Sequence, residues 1–555
     1  MDTRTPHQLL RRKSERLYPT DKNRLLLEPP KPLSQSLEWR LAARYWLHHG
    51  VAPFSDGSVP YIINNSGWAP RAAAELILEM GRQRDGNLIV IEVAAGSGIF
   101  ARQVLDYVQK KSLESNENTY ERLLWICTDG AQNSVQSWKN RGQFMGHEGH
   151  IIMKKMLASD VDTLALPTGS VIAVIANYAL DSLCADVVRR DGGRLHLQAC
   201  IYGDESQLIQ SVGMSLADVQ AQIDKPDPEA LDVLLPLLDI LEVQASFIPE
   251  KVQYSQDALD AAKSDVAMVN TGSLEFLEKA LSKMIDGGFV LINDYGATLR
   301  EEFKRQTFVH RFGGTITCAL NFPHLDQWFQ KKGCQVLIPI DDAHRTIHTR
   351  IAVCGGVHLE KTFQKWYCDT LYVHADRVGS WTNSYIAGGQ ISEAVEVFER
   401  HLRWCPTDWH KLAEAAQLLM QQLGHLDEAQ ELAHTACTIN PWTSTLVWNV
   451  YGSVLFSKGL PEEAEKAWRK AFSIWPEDPS TWLNFSYLYA SQGQSEKALE
   501  CISKGLSCDH QGGFRPALLQ KQSEILGQKY QIHKQYADRL TRRHRTLVDA
   551  IRPYQ

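Results

Sequence analysis

The chain has 555 residues, 44% of them hydrophobic and 22% charged, with a net charge of -7. That length accommodates roughly two to four domains with buried cores, and the acidic balance excludes a general basic field for non-specific nucleic-acid binding. No apolar run reaches the ~18 to 20 residues of a membrane span, and the 11 cysteines, which form no CxxC pair, exclude a zinc ribbon or a disulfide framework and imply free, mostly buried thiols in a reducing compartment.

The chain opens on MDTRTPHQLLRRKSERLYPTDKNR, basic around Arg11, Arg12, Lys13 and Arg16. It lacks the apolar stretch of a secretory signal. It reads as the solvated tail of a cytoplasmic protein, with a mitochondrial presequence, and hence the matrix, as the alternative. A helix is predicted through SLEWRLAARYWLHHG, with Gly50 as its stop signal. Residues 1–60 therefore read as a lead-in.

Residues 61–357 alternate apolar strand-like runs with helical stretches. The predicted strands are LIVIEV, LLWICT, VIAVIA and GFVLIND, beginning at Leu88, Leu123, Val171 and Gly288. Their near-continuous apolarity is that of strands buried on both faces of a parallel sheet. A helical pattern is read after each of the first three, so a doubly wound α/β domain is expected.

Residues 376–525 repeat with a step of 34 or 35. Gly389, Gly424, Gly459 and Gly493 form one series, Ala394, Ala429, Ala464 and Ala498 a second, and Pro406, Pro441 and Pro476 a third. This is the period of the tetratricopeptide (TPR) helical hairpin. Small residues at the Gly and Ala positions are expected to let the two helices of a hairpin approach closely. Aromatic positions such as Trp448, Trp468 and Trp482 fill the gaps between hairpins, and Pro separates one unit from the next. Residues 526–555, with QYADRLTRRHRTLVDAIR, read as a basic helix capping the stack.

The segment that carries chemistry is LIVIEVAAGSGIFARQVLDYV, Leu88 to Val108. A buried strand runs into a loop of small residues, Ala94, Ala95, Gly96, Ser97 and Gly98, and a helix starts near Ile99. Small residues let the backbone approach a nucleoside, and the helix start offers unpaired N–H groups. Dinucleotide sites share such a loop. Glu92 inside the strand end, placed to engage a methionine amino group, and ExxAGSG in place of GxGxxG favour S-adenosyl-L-methionine. The second strand ends in Asp129, an acidic side chain able to take both ribose hydroxyls, or else the cap of the helix after it. Its distance from the loop exceeds the dinucleotide spacing, and SLESNENTYERL reads as an insertion that accounts for the excess. After the third strand, Asn177 and Asp181 emerge as polar groups that can orient a methyl acceptor, Asn177 also lying close enough for the cofactor. Asp181 reads equally as a helix cap. Asp294 and Tyr295 end another strand and open onto the same edge, and they read equally as ordinary strand-end residues. No His, Cys and carboxylate cluster has metal-ligand spacing.

Taken in order, IEVAAGSGIFARQVLD, IANYALDSL, GGFVLINDYG and FGGTITCALNFPHLDQWFQKKG resemble the MidA-like methyltransferases, the group that includes the mitochondrial complex I assembly methyltransferase. The resemblance spans about residues 61 to 345. It implies a Rossmann-like class I methyltransferase domain with a long helical insertion before the Asp294–Tyr295–Gly296 strand, the runs LLPLLDILE and SLEFLEKALSKMID supplying its helices. In the assembly-factor branch it implies methylation of a protein arginine. This chain departs from the pattern at Ala94, where the family has Gly, and at Tyr178, where it has Glu. It departs also in the N-terminal segment YIINNSGWAPRAAAELI. Guanidinium is protonated at neutral pH, so its methylation calls for carboxylates that orient it and take its proton.

Three functions compete. One is a protein methyltransferase whose TPR groove docks a protein or peptide. Another is a small-molecule methyltransferase whose repeats serve assembly. The third is a non-catalytic scaffold, kept open by Ala94 and Tyr178.

Overall fold

The computed structural model describes residues 24–55, 67–305, 308–312, 315–367, 369–510 and 512–551. The basic segment 1–23, residues 61–66 of the N-terminal family segment and Gly314 lie outside them. The chain divides into two compact units, one ending at Asp408 and the other beginning at Trp409. Among the described residues no helix is long and apolar enough to cross a membrane.

In the first unit the lead-in supplies β1 (Arg24–Pro32) and α1 (Leu37–His49), and α2 (Trp68–Gln83) follows. The sequence then alternates β2 (Leu88–Val93), α3 (Ile99–Ser115), β3 (Leu123–Asp129), α4 (Gln132–Asn140), β4 (Ile151–Lys155) and β5 (Val171–Asn177). Next come β6 (Asp186–Arg189), β7 (Gly193–Tyr202), β8 (Leu241–Pro249), β9 (Val266–Val269), α5 (Thr271–Lys283) and β10 (Met284–Ala297). The unit's sheet closes with β11 (Cys334–Leu337) and β12 (Ile347–Cys354).

The main sheet has the order β11-β12-β10-β5-β2-β3-β4. β4, β3, β2, β5 and β10 run parallel, and β12 is antiparallel to both β10 and β11. The chain steps outward from β2 through β3 to β4 and then returns to the other side of β2 as β5. The crevice where that direction reverses, at the strands' carboxyl ends, is the ligand position of open α/β sheets. Apolar residues cover both faces. Trp125 with residues of α2 and α3 packs one face, and Phe276, Phe322 and Phe329 pack the other.

Four expectations change. β5 is followed by a 3-10 turn, Leu180–Ser182, and not by a helix. The insertion it opens is not purely helical: its strands β6, β7, β8 and β9 form an antiparallel sheet that β1 of the lead-in joins on β7, and LLPLLDILE starts as 3-10 helix around Pro236 and ends in β8. SLES belongs to α3, which runs to Ser115, so the long gap before Asp129 is a longer helix. Finally, Cys334 and Cys354 face each other across β11 and β12 and are disulfide-bonded. Uniformly free thiols were expected, because cross-strand pairing is invisible in spacing alone.

The second unit stacks helical hairpins. They comprise α6 (Trp409–Leu418) with α7 (Leu426–Ile439), α8 (Thr445–Ser457) with α9 (Pro461–Ile474), and α10 (Pro479–Ser491) with α11 (Ser495–Cys508). A long helix, α12 (Arg515–Ile551), follows. Ala429, Ala464 and Ala498 are fully buried where helices meet. Gly424, Gly459 and Gly493 act differently from the expectation. They sit at hairpin turns with φ between 68° and 76° and open space around them, so they supply positive φ and not close approach. Close approach falls to Gly452, where a Cβ would meet Trp468 at 2.4 Å. The indole N–H groups of Trp448 and Trp482 donate to the Pro441 and Pro476 carbonyls, which gives the aromatic and proline series one shared cause.

Candidate functional site

A cavity of about 310 Å³ opens at the reversal point of the main sheet. Its lining comes from loops that are far apart in sequence and meet because parallel strands end side by side. Ala94 and Gly96 follow β2, Asp129, Gly130 and Ala131 follow β3, and Met156, Leu157 and Ala158 follow β4. Tyr178, Asp181 and Ser182 follow β5, and Tyr295 and Thr317 join them. Ala43, Trp46, Leu47 and Gly50 bring α1 to the cavity.

Asp129 organises one end. Gly96 N donates to its Oδ2 at 2.9 Å and Ala131 N to its Oδ1 at 2.8 Å, so one carboxylate ties the loops after β2 and β3 together. Ala95 N donates to the Thr128 carbonyl, and Thr128 Oγ1 to the Glu92 carbonyl. Burial pushes the Asp129 carboxyl up to about 6 against the pull of those N–H groups. Each oxygen keeps a lone pair for a hydroxyl.

Gly98 serves the loop from behind. Its φ is 73°, and a Cβ there would lie 3.1 Å from Trp138 and 3.2 Å from Phe144. Trp138 Nε1 donates to the Gly96 carbonyl. Ala94 has φ 51° although it is not glycine, and its exposed methyl lies at the cavity wall. The left-handed conformation costs a non-glycine residue ~1 to 2 kcal/mol. Ala94→Gly removes that strain but adds unfolded-state entropy of ~0.5 to 1 kcal/mol. The urea midpoint of the variant is expected to rise by the equivalent of about 0.5 kcal/mol; a fall would mean that the methyl is itself packing.

The other end is acidic. Asp294, fully buried, accepts from Leu180 N (2.8 Å) and Asp181 N (3.3 Å) on Oδ2 and from Tyr295 N (2.8 Å) on Oδ1. The Asp181 carboxyl, 3% exposed, hydrogen-bonds Asp294. Burial and then the charge of Asp294 hold Asp181 far above the carboxylate range, and burial pushes Asp294 up to about 7. Two carboxyl groups this close titrate as a unit and keep one proton near neutrality. The rings of Tyr178 and Tyr295 lie 5.5 Å apart beside the pair, and burial raises the Tyr295 hydroxyl as well. Tyr178 shares the positive φ of Ala94, at 51°. Two strained residues on one cavity are a mark of function more than of folding.

The structure thus brings Ala94, Gly96, Asp129 and Asp181 to the cavity. It leaves Glu92, Ala95, Ser97, Gly98 and Asn177 out of its lining. Glu92 is 2% exposed and its Oε2 accepts from Trp125 Nε1 at 3.0 Å; strand alternation turns it into the core under the loop. Asn177 Oδ1 accepts from Asn293 Nδ2 at 2.8 Å, and Asn293 Oδ1 from Thr349 Oγ1 at 2.7 Å, so Asn177 is a rung between strands.

Burial pushes Glu92 up to about 8. Because this folded value lies above the ordinary 4.5, the associated stability is full below that value and is lost as pH rises through 8. Glu92→Gln keeps an acceptor for Trp125. It should leave ligand affinity unchanged and raise the melting temperature above pH 8, as a thermal scan at several pH values would read.

The contribution of α1 is not visible in its sequence, which shows a helix and a stop but not what the helix covers. Ser36 caps it by accepting from Trp39 N. Arg44 makes paired 2.6 Å bonds to Asp232, and Glu38 receives Arg311. These bonds fix α1 to the inserted region through Asp232 and to the segment after β10 through Arg311, and hold Trp46 and Leu47 at the cavity.

Compared with known proteins, residues 71–340 match the model of a family described as "Putative S-adenosyl-L-methionine-dependent methyltransferase", and residues 479–509 match a tetratricopeptide repeat. No curated protein matches the sequence. A crystal structure of a superfamily member from Burkholderia thailandensis bound to S-adenosyl-homocysteine is 15% identical, with TM-score 0.38, over 60% of this chain and 78% of that one. A second structure from that superfamily and organism is 12% identical with TM-score 0.37, over 63% and 93%. A thermophilic TPR protein of Thermus thermophilus is 20% identical with TM-score 0.24, over 30% and 87%.

Proposed function

We propose, for a chain whose residues 71–340 belong to the S-adenosyl-L-methionine-dependent methyltransferase family and whose C-terminal part carries a TPR repeat, that its activity is methylation of a protein side chain, an arginine guanidine. The observation that carries this reading is Asp181, which lines the same cavity as Asp129 and is backed by the fully buried Asp294.

The residues fit the cofactor. Gly96 and Gly130 keep that end of the cavity free of side chains, Asp129 offers two oxygens to a pair of hydroxyls, and Leu47 and Leu157 supply apolar walls. When bound, the cofactor supplies an activated sulfonium methyl. Asp129 then fixes the nucleoside end, and α1 shields the cavity from water through Trp46 and Leu47. Asp181 and Asp294 receive a cation at the other end and hold the proton it gives up. Positioning of this kind contributes several powers of ten in rate. Tyr178 removes one carboxylate of the family pattern, and Asp181 with Asp294 behind it are the two that this chain keeps at that end. We assign the TPR groove between α6, α8, α10 and the start of α12 to docking of the protein that carries the acceptor.

Calorimetric titration of the purified chain with S-adenosyl-L-methionine tests the cofactor half, and labelled-methyl transfer to arginine-containing protein tests the acceptor half. Micromolar binding with label recovered as methylarginine is the expected result. Binding without transfer to arginine removes the acceptor assignment, and no binding at millimolar ligand leaves a scaffold.

A further inference from the structure

The first half of α12 is ordinary capping. Leu518 and Ile525 are buried against Ala498 and Ile502 of the last hairpin, and the Lys521 ammonium sits 4.3 Å from the Tyr487 ring. Beyond Lys529 the helix continues, and each residue from Lys534 to Arg543 whose side chain is described is exposed. At 1.5 Å per residue the 37-residue helix is about 55 Å long, more than a cap needs.

Two properties of this helix go together. Leu519, Leu526, Tyr530, Tyr536 and Leu540 are exposed, the last three at 66%, 64% and 50%. At 3.6 residues per turn all five fall within one arc about 120° wide. Lys534, Arg539 and Arg542 fall outside that arc. Lys529, inside it, reaches back to Glu496 at 3.6 Å. Between Lys529 and Arg545 there are six basic residues and one acidic residue, in a chain whose net charge is -7. Positive charge is thus concentrated on the helix that also exposes the apolar arc.

We propose that α12 docks on an anionic lipid surface, lying in the interface with Leu526, Tyr530, Tyr536 and Leu540 turned toward the acyl boundary. An amphipathic helix of low overall hydropathy with basic residues on its polar face has the composition for this. Tyr suits the headgroup level. Charge complementarity selects the occupant. A second copy of α12 would bring like charge against like charge, and a nucleic acid would satisfy the basic residues while leaving the apolar arc in water. This placement is independent of the methyltransferase site.

The test is flotation of the full chain with vesicles of phosphatidylcholine alone and of phosphatidylcholine containing about 30% phosphatidylserine, at about 0.1 M salt. Binding to the anionic vesicles at least about tenfold stronger than to the neutral ones, weakening as salt rises, is expected. Lys534→Glu/Arg539→Glu/Arg542→Glu should reduce it at least about tenfold, and Tyr536→Ser/Leu540→Ser should weaken it while leaving the salt dependence in place. All five positions are exposed beyond the hairpins, and an unchanged melting temperature verifies that each variant is folded. Equal flotation with both vesicle types, no flotation with either, a dimer formed through α12 in sedimentation, or binding to RNA in preference to anionic vesicles each overturns the proposal.

Discussion

Asp129→Ala is expected to weaken S-adenosyl-L-methionine binding about 10²- to 10³-fold. The wild-type carboxylate is the acceptor available to a pair of hydroxyls at that end of the cavity, and a hydrogen bond to a charged group contributes roughly 1.5 to 3 kcal/mol. It also holds the Gly96 and Ala131 N–H groups, so the variant loses the shape of both loops along with the contact. Asp129→Asn separates these effects. The amide keeps the size but must point its NH₂ at one of the two N–H donors, which breaks one brace, and its affinity should fall between the other two. Affinity should also depend on pH. With its carboxyl pushed up to about 6, Asp129 is charged above that value and protonated below it, so binding should fall about tenfold for each unit below pH 6. Calorimetry from pH 5 to 8 measures both effects. A Kd within about threefold of wild type in Asp129→Ala would make Asp129 only a brace between loops.

Much of this was legible in the sequence, for a physical reason. A strand buried on both faces must be continuously apolar, so β2, β3, β5 and β10 stand out. A helical hairpin must repeat its small and aromatic positions, so the TPR period shows. The loop from Ala94 to Gly98 and the carboxylate at Asp129 belong to a local strand-loop-helix pattern. What stayed hidden depends on pairing between distant segments. β6, β7, β8 and β9 pair antiparallel within an insertion whose apolar content reads equally as helix, and β1 joins them from the lead-in. The arrival of Trp46 and Leu47 at the cavity depends on Arg44 finding Asp232, 188 positions away. Glu92 was misplaced for a different reason. Its position at a strand end is correct, but the alternation of the strand sends the side chain toward Trp125 and away from the loop's ligand face. The strain at Ala94 and Tyr178 shows only in φ. Asp294 illustrates the same limit, since the sequence presents it as a strand-end residue while its partner Asp181 lies 113 positions earlier.

Asp181→Asn should lower methyl transfer about 10²- to 10⁴-fold, the usual contribution of a positioned proton acceptor, while cofactor affinity changes less than about twofold because Asp129 is untouched. The same substitution should make the protein more stable in mild base. Both carboxyls of the pair sit above their ordinary value in the folded protein. The stability linked to them is therefore full below about pH 4 and is lost as pH rises through about 7, where the first buried charge forms, and further above it while Asp181 still holds its proton. Asparagine fills the same space without a carboxyl that must stay protonated to be buried. At pH 8 the gain should be on the order of a few kcal/mol, read as a higher urea midpoint. Loss of activity with gain of stability is the signature of a group held under electrostatic strain for its chemistry. In the wild type, transfer should rise with pH through about 7, as the pair loses the first of its two protons and gains a carboxylate that can take one from a guanidinium, and that limb should disappear in the variant. A variant less stable at pH 8 would show that the Asp181–Asp294 hydrogen bond is a structural tie. Activity within about threefold of wild type would move proton acceptance away from Asp181 altogether.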